Sequence, residues 1–215
     1  MLIRAEALEV PRPRHGRVPV HLLVDSTGLR LCGPGEWLVE KHGTRRRRSR
    51  RKLHLATDAD TGRIVAWVLT DREADDGSQA APLLERVDGP VASFTADGTF
   101  DRDDVYVEAA ARHPDADVIV PPRASVVPSG TAEGDPTRRG RHLRAIAERG
   151  RVSRQRVSGY NCCALVEAEI ARRKRIIGDE LCSQGNGRQA AEVAIAANAL
   201  NRILDLGRAE YVRIA

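Results

Sequence analysis

The chain has 215 residues, enough for one domain with a substantial core, and its 35 Lys and Arg against 30 Asp and Glu give a net charge of +5. Aromatic residues make up 3% of it, too few for a protein that grips single strands by stacking bases on rings. No apolar run approaches the ~18 residues of a membrane span and no apolar signal region opens the chain, so a cytoplasmic protein without a membrane partner is expected.

Residues 1–18 are basic and broken by Pro11 and Pro13, and read as an arm. Pro19-Val-His-Leu-Leu-Val-Asp25 is a continuous apolar strand ending in a carboxylate, with Ser26-Thr-Gly28 expected to break it. A basic loop follows from Lys41. Leu53–Thr57 and Arg63–Thr70 are strands joined by Asp58-Ala-Asp-Thr-Gly62, which is turn chemistry, so a hairpin is predicted. Asp75 to Val87 reads as a helix, Val91 to Asp97 as a second apolar strand ending in a carboxylate, Arg102 to His113 as a helix, and Asp117 to Pro121 as a strand. Residues 122–140, rich in Pro, Gly, Ser and Thr, read as a mobile loop. Arg141 to Ile177 is helical and very basic, and a last helix covers Gln189 to Leu206 with Val193, Ala197, Leu200 and Leu204 along one stripe. The order predicts an α/β protein, a mixed sheet with helices on its faces, over residues 19–215.

The charge is patterned. Lys41 to Lys52 holds eight Lys and Arg and no acid, Asp71 to Asp104 ten acids against three bases, and Thr137 to Ser158 eight arginines against one glutamate. Basic blocks around an acidic middle suit a protein that grips a polyanion while keeping carboxylates for metal. A solvated charged surface gives the same counts. The cysteines (Cys32, Cys162, Cys163 and Cys182) form no CxxC pair, so reduced thiols are expected rather than a zinc knuckle or a disulfide framework.

Asp25 and Asp97 each close an apolar strand, with a Gly within three residues. On neighbouring strands their carboxylates would converge, and paired carboxylates are what Mg2+ or Mn2+ prefers. Either aspartate alone would more readily be a turn residue. A third carboxylate is expected from a helix beside them, and Glu167 is the candidate. Residues 160, 163, 167 and 174 share a helical face, so Tyr160 and Lys174 flank Glu167 where phosphates could be touched. An ordinary amphipathic helix with Glu169 and its arginines solvated is the alternative.

Val24-Asp-Ser-Thr-Gly-Leu29, Gly35-Glu-Trp37, Lys41-His-Gly43 and Arg50-Arg-Lys-Leu-His-Leu-Ala56 resemble the first catalytic zone of bacterial DDE transposases of the insertion-sequence-five family. Ala96-Asp-Gly-Thr-Phe100 resembles the second zone, and Val120-Pro-Pro-Arg123 a strand end that recurs between zones. The third zone in related enzymes is Tyr, Arg, Glu and Lys at spacings of three, four and seven. Tyr160, Glu167 and Lys174 fit it, whereas Cys163 stands where the arginine should be, with Arg156 or Arg172 as possible replacements.

The resemblance implies a ribonuclease-H-like fold and metal-dependent hydrolysis and strand transfer at the ends of an insertion sequence. Asp25, Asp97 and Glu167 would hold two Mg2+ or Mn2+ ions. Lys41, His42, Arg45, Arg46, Arg47, Arg48, Arg50, Arg51 and Lys52, with Tyr160 and Lys174, would contact double-stranded DNA, bound by a homo-oligomer. His54 reads as a phosphate contact or a packed residue, and Trp37 as packed. Asp58 and Asp60 read as turn residues, and Asp75, Asp76, Asp101, Asp103 and Asp104 as helix-start carboxylates. Only 24 residues precede Asp25, so the region that recognises the element's ends is expected to be missing. A non-catalytic fragment that binds DNA or pairs with an intact enzyme is the competing expectation, and a ribonuclease acting on RNA–DNA hybrids a third.

Overall fold

The computed structural model describes residues 18–32, 50–121 and 163–207. In chain order these form β1 (Val20–Leu31), β2 (Arg50–Asp58), β3 (Ile64–Asp71), a 3-10 turn (Gly77–Gln79), α1 (Ala80–Leu84), β4 (Val91–Ala96) and a second 3-10 turn (Gly98–Phe100). Then come α2 (Asp103–Arg112), β5 (Asp117–Ile119), α3 (Cys163–Ile176), β6 (Glu180–Leu181) and α4 (Asn186–Asp205). The arm at 1–18 (but for Val18), the basic loop at 41–49, the loop at 122–140 and Tyr160 lie outside the described residues.

The strands form one mixed sheet in the order β3-β2-β1-β4-β5, with β6 added to β1. β1, β2 and β3 are antiparallel neighbours, whereas β4 and β6 run parallel to β1, and β5 parallel to β4. This is the ribonuclease-H-like arrangement of the expectation, a mixed α/β sheet flanked by helices.

Alternation along the strands divides the core in two. Leu22 and Val24 of β1 join Ala56, Phe94 and Ala96 in a cluster covered by α1 and α2. Leu29, Leu53 and Leu55 point to the other face, where Ile170 of α3 and Val193, Ala197 and Leu200 of α4 close over them. Val193, Ala197 and Leu200 of the stripe predicted for the last helix are therefore on its buried face, and Leu204 is half-buried.

The predicted end of the first strand is corrected. β1 does not stop at Asp25 but continues to Leu31, because Ser26, Thr27 and Gly28 pair with His54, Leu53 and Lys52 of β2. A run that looks like a strand breaker stays extended when its backbone groups find partners. The helix predicted over 75–87 is also shorter, a 3-10 turn followed by α1.

The hairpin turn behaves as predicted. The Asp58 carboxylate accepts from Thr61 Oγ1 at 2.6 Å, and the Asp58 carbonyl accepts from the Gly62 N–H at 2.8 Å. Gly62 has φ +70°, left-handed backbone that favours glycine. Beyond it, Ile64 starts β3 with help from α4: Asn201 Oδ1 accepts from the Ile64 N–H and Nδ2 donates to the Ile64 carbonyl, both at 2.8 Å. A buried amide thus fixes α4 against the sheet edge.

Candidate active site

The site follows from what β1 lacks on one edge. β2 occupies the first edge from Leu22 to Arg30, so β4 and β6 share the second. β4 pairs with β1 as far as Val24 and Ala96, and β6 begins at Arg30 and Glu180. No described strand pairs with that edge from Asp25 to Leu29. Asp25 stands at the start of this opening and Asp97 follows the last residue of β4, one rung beyond the Val24–Ala96 pair. The two aspartates are therefore brought together, as the sequence required, although by the end of β4 and not of β1.

Alternation puts Asp25 on the face of Leu29, under α3. That helix buries Val166, Ile170 and Arg173 against the sheet and leaves Glu167 exposed, next to the buried stripe. Arg173 is 2% exposed and caps its own helix end, Nη1 donating to the Gly178 carbonyl at 2.7 Å, and burial lowers its pKa. Arg172 donates to Glu169 and to the Leu200 carbonyl. Neither arginine is free in solvent, and Arg172, one of the two expected replacements for the family arginine, is bound to Glu169 and the Leu200 carbonyl. The side chain of Cys163 lies outside the described residues.

Burial raises the pKa of Asp25, and the charges of Asp97, Glu167 and Asp76 act in the same direction. The Ser26 N–H, donating to Asp25 Oδ1 at 2.7 Å, opposes them. Three other carboxylates thus feel Asp25 in one local field. They do not close on one point: among the described residues no three His, Cys, Asp or Glu side chains are grouped to hold an ion. Asp97 is turned to its own 3-10 turn, accepting from the Thr99 N–H at 2.9 Å and from the Thr99 hydroxyl.

Asp76 is the residue whose place was not foreseen. Asp75 caps the first 3-10 turn as expected, accepting from the Ser78 N–H at 3.0 Å. Asp76 instead reaches the sheet, where Lys52 Nζ lies 2.8 Å from Oδ2 and His54 Nδ1 3.2 Å from Oδ1. His54 is fully buried, with Nε2 2.9 Å from Thr70 Oγ1, and burial lowers its pKa to about 4. The signal was available: Lys52 and His54 alternate onto the same face as the buried Ala56, and buried polar groups require a partner. Asp101 also departs from the helix-start reading, for it is buried ahead of α2, whereas Asp103 and Asp104 lie in the first turn.

Of the expected DNA contacts, Arg50, Arg51, Lys52 and Lys174 are described. Arg50 and Lys174 are exposed. Arg51 is held by Asp71 at 3.0 Å and Asn186 at 2.9 Å, and Lys52 by Asp76 and the Ala74 carbonyl. Lys41, His42, Arg45, Arg46, Arg47, Arg48 and Tyr160 lie outside the described residues. No described helix is long and apolar enough to cross a membrane.

The described elements define an α/β core with a mixed sheet whose β1 edge opens beside Asp25 and Asp97. The family model described as "Transposase DDE domain" matches residues 16–201, and the chain belongs to that family. Among solved structures, it is similar to the piggyBac transposase in a cryo-EM synaptic complex with hairpin DNA, at a TM-score of 0.45 and 10% identity. That match covers 87% of this chain and 47% of the other, so the chain spans about half of its length.

Proposed function

We propose that the chain is the catalytic core of an insertion-sequence-five-type transposase acting on double-stranded DNA. In this reading Asp25, Asp97 and Glu167 hold Mg2+ or Mn2+, two ions in the working complex. The reaction is phosphodiester hydrolysis at the element's ends followed by strand transfer. The observation that carries it is the meeting of Asp25 and Asp97 on adjacent parallel strands, under the helix that bears Glu167, in a member of this family.

The donor set fits such an ion, because hard divalent cations prefer carboxylate oxygen and a cation would offset the charges of Asp97 and Glu167 that act on Asp25. Asp97 would have to swing from Thr99 to complete it. A bound ion supplies Lewis-acid charge and a water of lowered pKa. The chain's own residues set the geometry: strand register holds the backbones of Asp25 and Asp97, and Val166 and Ile170 seat α3. The exposed Arg50 and Lys174, with the basic run at 41–48 and Tyr160, would contact phosphates, a sequence-independent and salt-sensitive contribution.

The test is to incubate the purified chain with DNA carrying the element's inverted repeats and Mg2+ or Mn2+. Nicks at the ends that vanish in Asp25→Asn are the expected result. Binding without nicking in either metal would overturn the catalytic reading and leave a DNA-binding or subunit-pairing fragment.

A further inference from the structure

Cys32 and Cys182 are distant in sequence but adjacent in the fold. Cys32 follows β1 and Cys182 follows β6, and the parallel register Arg30–Glu180 and Leu31–Leu181 carries them to the next rung. The Cys32 N–H donates to the Leu181 carbonyl at 2.9 Å, which holds both chain segments there. Both cysteines are free thiols, and their Sγ atoms lie 3.7 Å apart. Paired strands run about 4.8 Å apart, inside the roughly 4.4–6.8 Å separation of Cα atoms that a disulfide spans. At that strand spacing, rotation of the side chains would bring the sulfurs to bonding distance.

We propose that Cys32 and Cys182 form an oxidation site, joining under peroxide in a disulfide that clamps β6, and the end of α3 that leads into it, to β1. The inference is independent of the catalytic reading above. Cys32 and Cys182 are reduced here, as the sequence led us to expect, and the inference concerns what oxidation does to them.

The two sulfurs play different parts. Cys182 is exposed, whereas Cys32 is partly buried and its thiol donates to Glu180 Oε2 at 2.8 Å. That bond, with burial and the nearby Cys182, pushes the Cys32 thiol up to about 12, so Cys32 stays protonated. Cys182 is the sulfur that meets peroxide: its thiolate attacks the O–O bond, becomes a sulfenic acid and releases hydroxide. The Cys32 sulfur then attacks the Cys182 sulfur, the S–S bond forms and the S–O bond breaks. The Cys32 proton passes to the Glu180 carboxylate and on to the departing hydroxide, which leaves as water. One peroxide takes up the two electrons that the two thiols lose.

The experiment uses the full chain, treated with hydrogen peroxide, blocked with iodoacetamide and digested with trypsin. The cysteines fall in three separate peptides, 31–41, 157–172 and 176–188. A linked 31–41/176–188 species that disappears on reduction is expected. Recovery of both peptides singly alkylated, or a bridge from either to 157–172, would overturn the proposal. Cys32→Ser should stop Cys182 at the sulfenic acid, which dimedone traps, while Cys182→Ser should leave Cys32 alkylatable. Dimedone on Cys32 in the second variant would overturn the assignment of roles. The bridge closes a span of 150 residues, so the oxidised chain should melt higher by about 5 °C or more. An equal or lower melting temperature would overturn the clamp.

Discussion

Under α1 and α2 the sheet is closed by Val24, Ala56, Phe94 and Ala96, each 2% exposed or less, while under α3 and α4 the core of Leu29, Leu53 and Leu55 shares its face with Asp25. Both faces come from the same strands, and alternation assigns each residue to one of them. They differ in what happens at the sheet edge. β4 stops at Ala96 and β6 starts only at Glu180, so the second face meets an opening where carboxylates gather. The closed face has a polar group of its own, in which His54 Nε2 lies beside Thr70 Oγ1 and Lys52 Nζ is paired with Asp76 Oδ2. One face binds its polar groups within the structure, and the other leaves Asp25 at the opening in the sheet edge.

The sharpest way to break this comparison is Asp25→Asn. Under the proposed function, removing one of the carboxylates proposed to hold metal should cut nicking by about 10³-fold or more, since a bound ion supplies several kcal/mol of transition-state stabilisation. Stability should move the other way. The folded-state pKa of Asp25 is raised, so this group favours folding below its unfolded value of 3.8 and loses that contribution as pH rises through the folded value. At neutral pH its buried charge costs stability, and Asn removes the cost. An equal or higher melting temperature at pH 7 is expected; a fall would make Asp25 a structural residue like those of the closed face.

His54 probes the closed face. Its pKa falls from 6.5 to about 4, so the unfolded chain binds its proton first. The stability it contributes is complete above pH 6.5 and declines as pH falls through about 4, by up to about 3 kcal/mol over that window. Urea titrations at neutral and acid pH should show this acid limb in the native chain and a flatter one in His54→Gln.

Asn201→Ala should cost about 2 kcal/mol, because the Ile64 N–H and carbonyl lose their partner where β3 begins. Nicking should change only through the loss of folded protein. A specific drop in rate beyond that would mean that α4 also shapes the site.

Gly77→Ala joins the two regions and should have the smallest effect on stability, about 1 kcal/mol. A Cβ there would come within 2.6 Å of Arg102 Cδ and 3.1 Å of the Thr99 carbonyl, in the turn that Asp97 caps. The expected outcome is a larger loss in nicking rate than in urea midpoint. Proportional losses would show that the Asp97 turn is not positioned by Gly77.

Local patterns determined much of this protein. Continuous apolar runs specified β4 and the first half of β1, alternation and turn residues specified the β2–β3 hairpin, and a stripe at helical spacing specified the buried face of α4. These periods are properties of consecutive residues, so they are legible without knowing what packs against them. The three carboxylates were also legible as candidates, since each stands in a motif context that local sequence carries. Tertiary structure alone decided the rest. β1 runs through Ser26, Thr27 and Gly28 because β2 supplies their hydrogen bonds, and β6 exists only as an addition to β1. Asp76 turned inward because Lys52, 24 residues away on β2, supplies a cation to pair with it. Cys32 met Cys182 across 150 residues. Partners so distant along the chain become neighbours only when the sheet forms, because backbone pairing and charge compensation are satisfied in space and leave no period in the sequence.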